Sequence, residues 1–284
     1  MARSLLSLFP AASALLAFRA GGDPVTQPAF TAAGFAISIQ CWSFKEFTLF
    51  EAIEMAAAAG AGGVELYPGH KLGGGHGDAT FGPDLPDDKL QAVIDHLKKH
   101  RIAALNFGVT DIPKEEAQAR KTFELAKKLG LYGVTTESLH SLDTLEKLAR
   151  EYDIKVCFHN HPRPTALWNP DTISKAIEGR HANFGFCADL GHWATSGLEP
   201  LEVIKKIAPR VLAFHMKDRE LVGKASHDRP FGTGVIDNAA ILDEVRKHGF
   251  AGNVSIEYEH NWKKSLPEVA QCVGFLRGYS KMKA

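Results

Sequence analysis

An excess of charge of either sign is missing from this chain. Its 284 residues carry 33 Lys and Arg against 33 Asp and Glu, a formal net charge of zero. The basic field on which nucleic-acid binding relies is therefore absent. Cysteine is scarce, at 4 residues, and Cys41, Cys157, Cys187 and Cys272 are spaced neither as a zinc ribbon nor as a dense disulfide framework. They read as small buried hydrophobes. An apolar run long enough to span a bilayer is also lacking. Leu5 to Phe18 comes nearest, but Ser residues and Pro10 interrupt it and it is too short, so no stable membrane insertion is expected. Nor does any shift in composition mark a second domain. What is present is a hydrophobic content of 45%, enough for one large core.

Residues 1–33 stand apart as a signal-like leader and linker. Met1-Ala2-Arg3 is a basic start, the apolar stretch follows, and Arg19, Gly21, Gly22 and Pro24 look like a linker. The pattern fits a secretory signal better than a membrane anchor. The cleavage site is poor, because Ala12-Ser13-Ala14 lies inside the apolar stretch and Phe18 is large. Export to a periplasmic or extracellular space is the expectation, with a cytoplasmic location as the alternative.

Residues 34–284 read as one domain of alternating strands and helices. Strand patterns start near Phe35, Gly63, Ile102, Tyr132, Ile154, Asn183, Arg210 and Gly252. Helical patterns cover Leu49–Ala59, Asp87–His100, Lys114–Leu129, Ser141–Tyr152, Thr172–Glu178, Pro200–Ile207, Asn238–His248 and Leu266–Tyr279. Gly60, Gly130, Gly179 and Gly249 sit where left-handed C-caps belong. Asp171 and Asp237 are placed as N-caps, and Ser265 with Glu268 as a capping box. Eight strands alternating with eight helices predict a single-domain α/β fold, a closed (β/α)8 TIM barrel, with its site at the carboxyl ends of the strands. Two long loops fall on that face: a glycine-rich one over residues 68–77, and one from Lys217 to Ile236.

Four clusters of acids or imidazoles fall at the ends of consecutive apolar runs in the second half. They are His159-Asn160-His161, Asp189-Leu190-Gly191-His192, His215 and Glu257. Polar groups ending four successive buried strands would line a common site, and this mixture suits a divalent metal. His159, Asp189, His215 and Glu257 form the expected metal shell. Two carboxylates neutralise one divalent ion, and nitrogen with oxygen donors suits Mn²⁺, Co²⁺ or Zn²⁺ better than Ca²⁺, with Mg²⁺ also in range. Glu137, at the end of the fourth strand, could replace one ligand. A helix-cap or salt-bridge role is the plainer alternative for Asp189, and a satisfied core position for a lone His215. Strand alternation sends His159 and His161 to the same side, with Asn160 opposite. His161 and His192 are candidate general bases or hydroxyl binders. Lys217 could hold a developing oxyanion, an exposed ion pair being its alternative. Trp42, Trp168 and Trp193 could pack on a sugar ring, or simply pack their loops.

Taken together, these residues resemble the xylose-isomerase-like TIM-barrel superfamily of sugar phosphate isomerases and epimerases. The resemblance runs from about residue 33 onward. It rests on Asp189-Leu190-Gly191-His192, His215-Met216-Lys217-Asp218, Gly232-Thr233-Gly234 leading to Asp237, and Ile256-Glu257-Tyr258. It implies one divalent metal at the ends of strands five to eight and a small carbohydrate substrate, and is compatible with a homo-oligomer. Epimerases and ketose isomerases of the family shuttle a proton between two glutamates. The second matches Glu257, whereas His159-Asn160-His161 stands where the first is expected. That departure looks more like members acting as lyases or hydratases on keto-sugars, such as inosose dehydratase. The expectation is metal-dependent proton abstraction next to a carbonyl, with His161, Glu257, His192 and Lys217 as candidate catalytic groups and Trp42, Trp193, His192 and Lys217 against substrate. The outcome would be elimination or hydration of a keto-sugar or keto-glycoside, or else aldose–ketose isomerisation or epimerisation. Endonuclease-IV-like repair shares the architecture but needs more metal ligands and a basic groove. A non-catalytic carbohydrate-binding barrel is the reading from a different class.

Overall fold

Short β-branched and aromatic runs between capped amphipathic helices leave the backbone one economical closure. In the computed structural model, which describes residues 31–283, eight parallel strands close on themselves. They are β1 (Phe35–Gln40), β2 (Gly63–Leu66), β3 (Ala103–Thr110), β4 (Gly133–Thr136), β5 (Lys155–His159), β6 (Phe184–Asp189), β7 (Val211–Met216) and β8 (Asn253–Ile256). Neighbours pair in chain order, and β8 returns to pair with β1, Ile39 standing opposite Ile256. The expected barrel is therefore present. The expected leader falls mostly outside the described residues. Its last part does not: Thr31–Ala32 forms a short antiparallel strand against β1, so part of the expected linker belongs to the sheet.

The helices α1 (Leu49–Ala59), α2 (Asp87–His100), α3 (Glu116–Leu129), α4 (Leu142–Tyr152) and α5 (Pro170–Ile177) alternate with the first strands. They are followed by α6 (Leu190–Thr195), α7 (Pro200–Ile207), α8 (Asn238–Lys247) and α9 (Leu266–Lys283). Thr48 and Glu51 close a capping box on α1, worth about 1 kcal/mol. Gly130 ends α3 at φ 66°, a conformation that a side chain resists. One cap expectation is corrected. Asn169, not Asp171, caps α5, because Pro170 takes the first helical position and lacks an N–H to satisfy. The Ser265 hydroxyl donates to the Ser43 carbonyl. Among the described residues no helix is long and apolar enough to cross a membrane, and the four cysteines are buried and free.

The helices bury Phe35, Phe123, Phe184 and Phe214 between themselves and the barrel wall. Inside the barrel the packing is partly polar. Ser38 Oγ donates to Asn253 Oδ1 (2.7 Å), Asn253 Nδ2 to Asn106 Oδ1 (3.4 Å), Asn106 Nδ2 to Thr135 Oγ1 (3.3 Å), and Thr135 Oγ1 to Glu65 Oε1 (2.6 Å). The large majority of buried polar groups are bonded in this way. This chain of bonds ends at Glu65, directly beside His215.

Candidate metal centre

Parallel register brings the carboxyl ends of the last four strands together, with Asp189 level with His215 across β6 and β7. His159, Asp189, His215 and Glu257 are all buried, and one ligand atom from each lies within 4.8 Å of the others. His159 Nε2 and both nitrogens of His215 have no hydrogen-bond partner. Buried imidazole nitrogens are costly without a partner. Two such rings beside two carboxylates fit a divalent ion, whose ligands stand roughly 3–4 Å apart.

Several residues fix this arrangement. Asp189 does cap a helix, since its Oδ1 accepts the His192 backbone N–H at 2.7 Å. Its Oδ2 faces the cluster, 3.5 Å from His159 Nε2, and also accepts from Lys217 Nζ at 2.8 Å. The helix cap thus uses one oxygen, while the ion pair with Lys217 and the cluster share the other. Asn160 holds the same strand end, accepting from the Asp189 N–H and donating to the Asp189 carbonyl, each at 2.9 Å. Glu137 Oε1 lies 2.9 Å from His159 Nδ1 and also accepts from His161 Nδ1. Glu137 is therefore placed behind the His159 ring rather than in the four-residue cluster. With a proton on Nδ1, His159 turns its Nε2 lone pair toward the cluster. Glu65 stands 3.1 Å from His215 Nε2, and Glu257 is 3.3 Å from Nδ1. Glu137→Ala is expected to weaken metal affinity roughly 10- to 100-fold, as loss of such a supporting carboxylate does; titration with Co²⁺ followed by absorption reads it.

Lys217 departs from its expected role. It is wholly buried, and its ammonium lies 2.8 Å from Asp189, 2.8 Å from Glu257 and 2.7 Å from Glu259. An ammonium has three N–H donors, so none is left for a substrate oxyanion. It neutralises carboxylates instead: with one divalent ion added, the charges of Lys217 and these three acids cancel. Burial pushes the Asp189 carboxyl up, but Lys217 and His159 outweigh it and hold it well below the usual range. Glu257 is likewise held low against its burial, by Lys217 and His215. Glu137 falls to about 2, its burial overcome by the two histidines.

Burial alone would keep His159 and His215 neutral, yet their acidic neighbours raise both above the ordinary imidazole value. An ion must displace those protons. Metal affinity is therefore expected to rise with pH through and above the imidazole range, and to fall as acid returns the protons. Co²⁺ titrations at about pH 6 and about pH 8 test the sign; equal affinity at both would contradict it.

Above the cluster opens a cavity of about 280 Å³ lined by Gln40, Trp42, Tyr67, His161, His192 and Glu259, among others. His161, 42% exposed, stacks on His192 with ring centroids 4.9 Å apart. Burial, with Lys217 and His159 near, holds His192 well below the usual imidazole value, so its ring is neutral. Trp42 stands edge-on to Tyr67 and donates its indole N–H to Glu259 at 3.2 Å. Trp193 does not reach substrate: it is 0% exposed, its ring buried in the core from α6. Trp168 stacks on Arg163 instead of lining the cavity. The loop from Lys217 to Ile236 is organised by Asp218, which accepts the backbone N–H groups of Arg219, Gly232, Gly234 and Ile236 at 2.9–3.0 Å. A Cβ at Gly234 would sit 2.2 Å from Asp218 Oδ1, which accounts for the glycine.

Glu65, Glu259 and the clamping role of Asn160 are absent from the sequence reading. Glu65 carried a usable signal, an acid near the end of Gly-Val-Glu-Leu on the second strand.

Residues 53–278 match the family profile described as xylose isomerase-like TIM barrel. Among curated proteins, inosose dehydratase from Clostridium botulinum (strain Eklund 17B / Type B) is 26% identical over 164 residues, 51% of this chain and 53% of that protein. The chain spans about half the length of the first curated relatives it matches. An uncharacterised protein from Parabacteroides distasonis ATCC 8503 has a solved structure with a TM-score of 0.70 and 31% identity, over 86% of this chain and 99% of that one. The IOLI protein, solved with a bound zinc atom, superposes with a TM-score of 0.67 at 16% identity, over 88% of this chain and 99% of its own; that likeness is one of fold. With the profile spanning most of its length, the chain belongs to the xylose isomerase-like TIM barrel family.

Proposed function

We propose that this chain is a divalent-metal-dependent lyase or hydratase that acts on a keto-sugar or keto-glycoside. The observation that carries the reading is the meeting of His159, Asp189, His215 and Glu257 beneath a cavity walled by two further histidines. The similarity to inosose dehydratases supports the reaction class. Zinc in the IOLI structure supports a divalent ion, and the mixed donors also suit Mn²⁺, Co²⁺ and Mg²⁺.

When bound, the ion supplies Lewis-acid polarisation of the substrate carbonyl. The protein's own groups do the rest. Glu137 engages Nδ1 of His161, leaving Nε2 to take the proton from the carbon next to the carbonyl. The electron pair of that C–H bond forms a C=C bond as the bond to the β-oxygen breaks, and His161 passes the proton it has taken to the departing oxygen. His192, neutral and stacked on His161, orients a hydroxyl. Trp42 and Tyr67 form the wall against which a sugar ring rests. His159-Asn160-His161 in place of a glutamate favours elimination over a two-glutamate epimerisation.

Incubating purified, metal-loaded protein with 3-keto-glycosides and with free ketoses tests the reading. An unsaturated product or its hydrate from the keto-glycosides is expected. Epimerised or isomerised ketose without any elimination would shift the assignment to the isomerases. No turnover of either would leave a carbohydrate-binding barrel.

A further inference from the structure

A second group of ligand-type side chains meets where α1 packs against α2, on the outside of the barrel. His96 and His100 stand four residues apart on α2 and share one face of the helix. Glu54 approaches them from α1. Its Oε1 is 3.4 Å from His96 Nε2 and 3.7 Å from His100 Nε2, and the three ligand atoms lie within 4.8 Å of one another. His100 Nε2 is buried without a hydrogen-bond partner. The His96 ring is stacked face to face on Phe50 at 4.3 Å, which presets its direction.

We propose that Glu54, His96 and His100 form a second divalent-cation site, distinct from the barrel mouth, that takes Zn²⁺. Two imidazoles and one carboxylate leave a position open for water, a donor set that zinc accepts and that hard cations such as Ca²⁺ do not favour. Ligation has a local cost. His96 Nε2 also lies 3.2 Å from the Phe50 carbonyl, so the ring must carry its proton on Nδ1 and release that contact. Lys99 works against a cation here, and the Glu54 carboxylate offsets it. The ion would tie α1 to α2 in the second half of α2. Helices of this fold run back against their strands, so that end lies away from the mouth.

Zinc uptake by the full chain, counted by elemental analysis and competition titration, tests the assignment. Wild type is expected to hold two ions per chain, and the His96→Ala/His100→Ala variant one. Glu54→Gln is expected to weaken the second site roughly tenfold. Zinc should also raise the thermal midpoint of wild type by more than that of the double variant. His215→Ala removes an ion from the mouth but leaves the helix site filled, so failure of one site is distinguishable from failure of the other. Equal zinc content in wild type and the double variant would overturn the proposal, as would an equal thermal response.

Discussion

His215→Ala is expected to abolish the stoichiometric ion at the barrel mouth and to lower turnover roughly a thousandfold or more, the scale of losing the principal electrophile. His215 is wholly buried between Glu65 and Glu257, with both ring nitrogens unpartnered by hydrogen bonds. Removing the ring takes away a ligand and leaves Glu65 facing a void, so part of the effect is on stability. His215→Gln, which keeps polar atoms near Glu65, separates the two. The expected result is a folded protein by circular dichroism that has lost metal and activity together. A variant that keeps its ion at the mouth would contradict the ligand assignment.

The second large effect concerns Lys217. Its ammonium sits among Asp189, Glu257 and Glu259 with no solvent exposure. Lys217→Met keeps the volume but leaves buried like charges uncompensated. Breaking a buried pair from one side costs about 3–5 kcal/mol, a sizeable fraction of the stability of a typical domain. The variant is therefore expected to unfold at markedly lower denaturant concentration, and to recover part of that loss when divalent metal is added. An oxyanion-holding lysine predicts the opposite pattern: lost turnover with stability nearly unchanged. Urea unfolding with and without metal discriminates the two.

The strand-end groups were legible because a buried strand cannot end in a carboxylate or imidazole without a partner. Asp189, His215 and Glu257 each followed an apolar run, and parallel pairing set Asp189 level with His215, with Glu257 two residues beyond His215's partner Ser255. The (β/α)8 order was legible for a similar reason, since alternating strands and helices admit few closures. Other residues depended on contacts that spacing does not encode. Lys217 lies two positions past His215, yet that it meets three acids from two other strand ends is a tertiary fact. Trp193 looked like a ring flanking the mouth, but α6, too short to show a period, turns it inward. Glu65 shared the strand-end pattern but lay outside the run of consecutive strand ends in the second half, and its contact with His215 is across the barrel. The helix pair His96 and His100 was visible as a four-residue spacing, and its meaning required Glu54 from another helix.

The most direct measurement is an anomalous difference map from crystals of the full chain soaked in Mn²⁺ or Co²⁺. The account predicts a peak at the barrel mouth, ligated by one nitrogen each from His159 and His215 and by the carboxylates of Asp189 and Glu257. No peak there, or one held by Glu137 and His161 without Asp189 and Glu257, would contradict it.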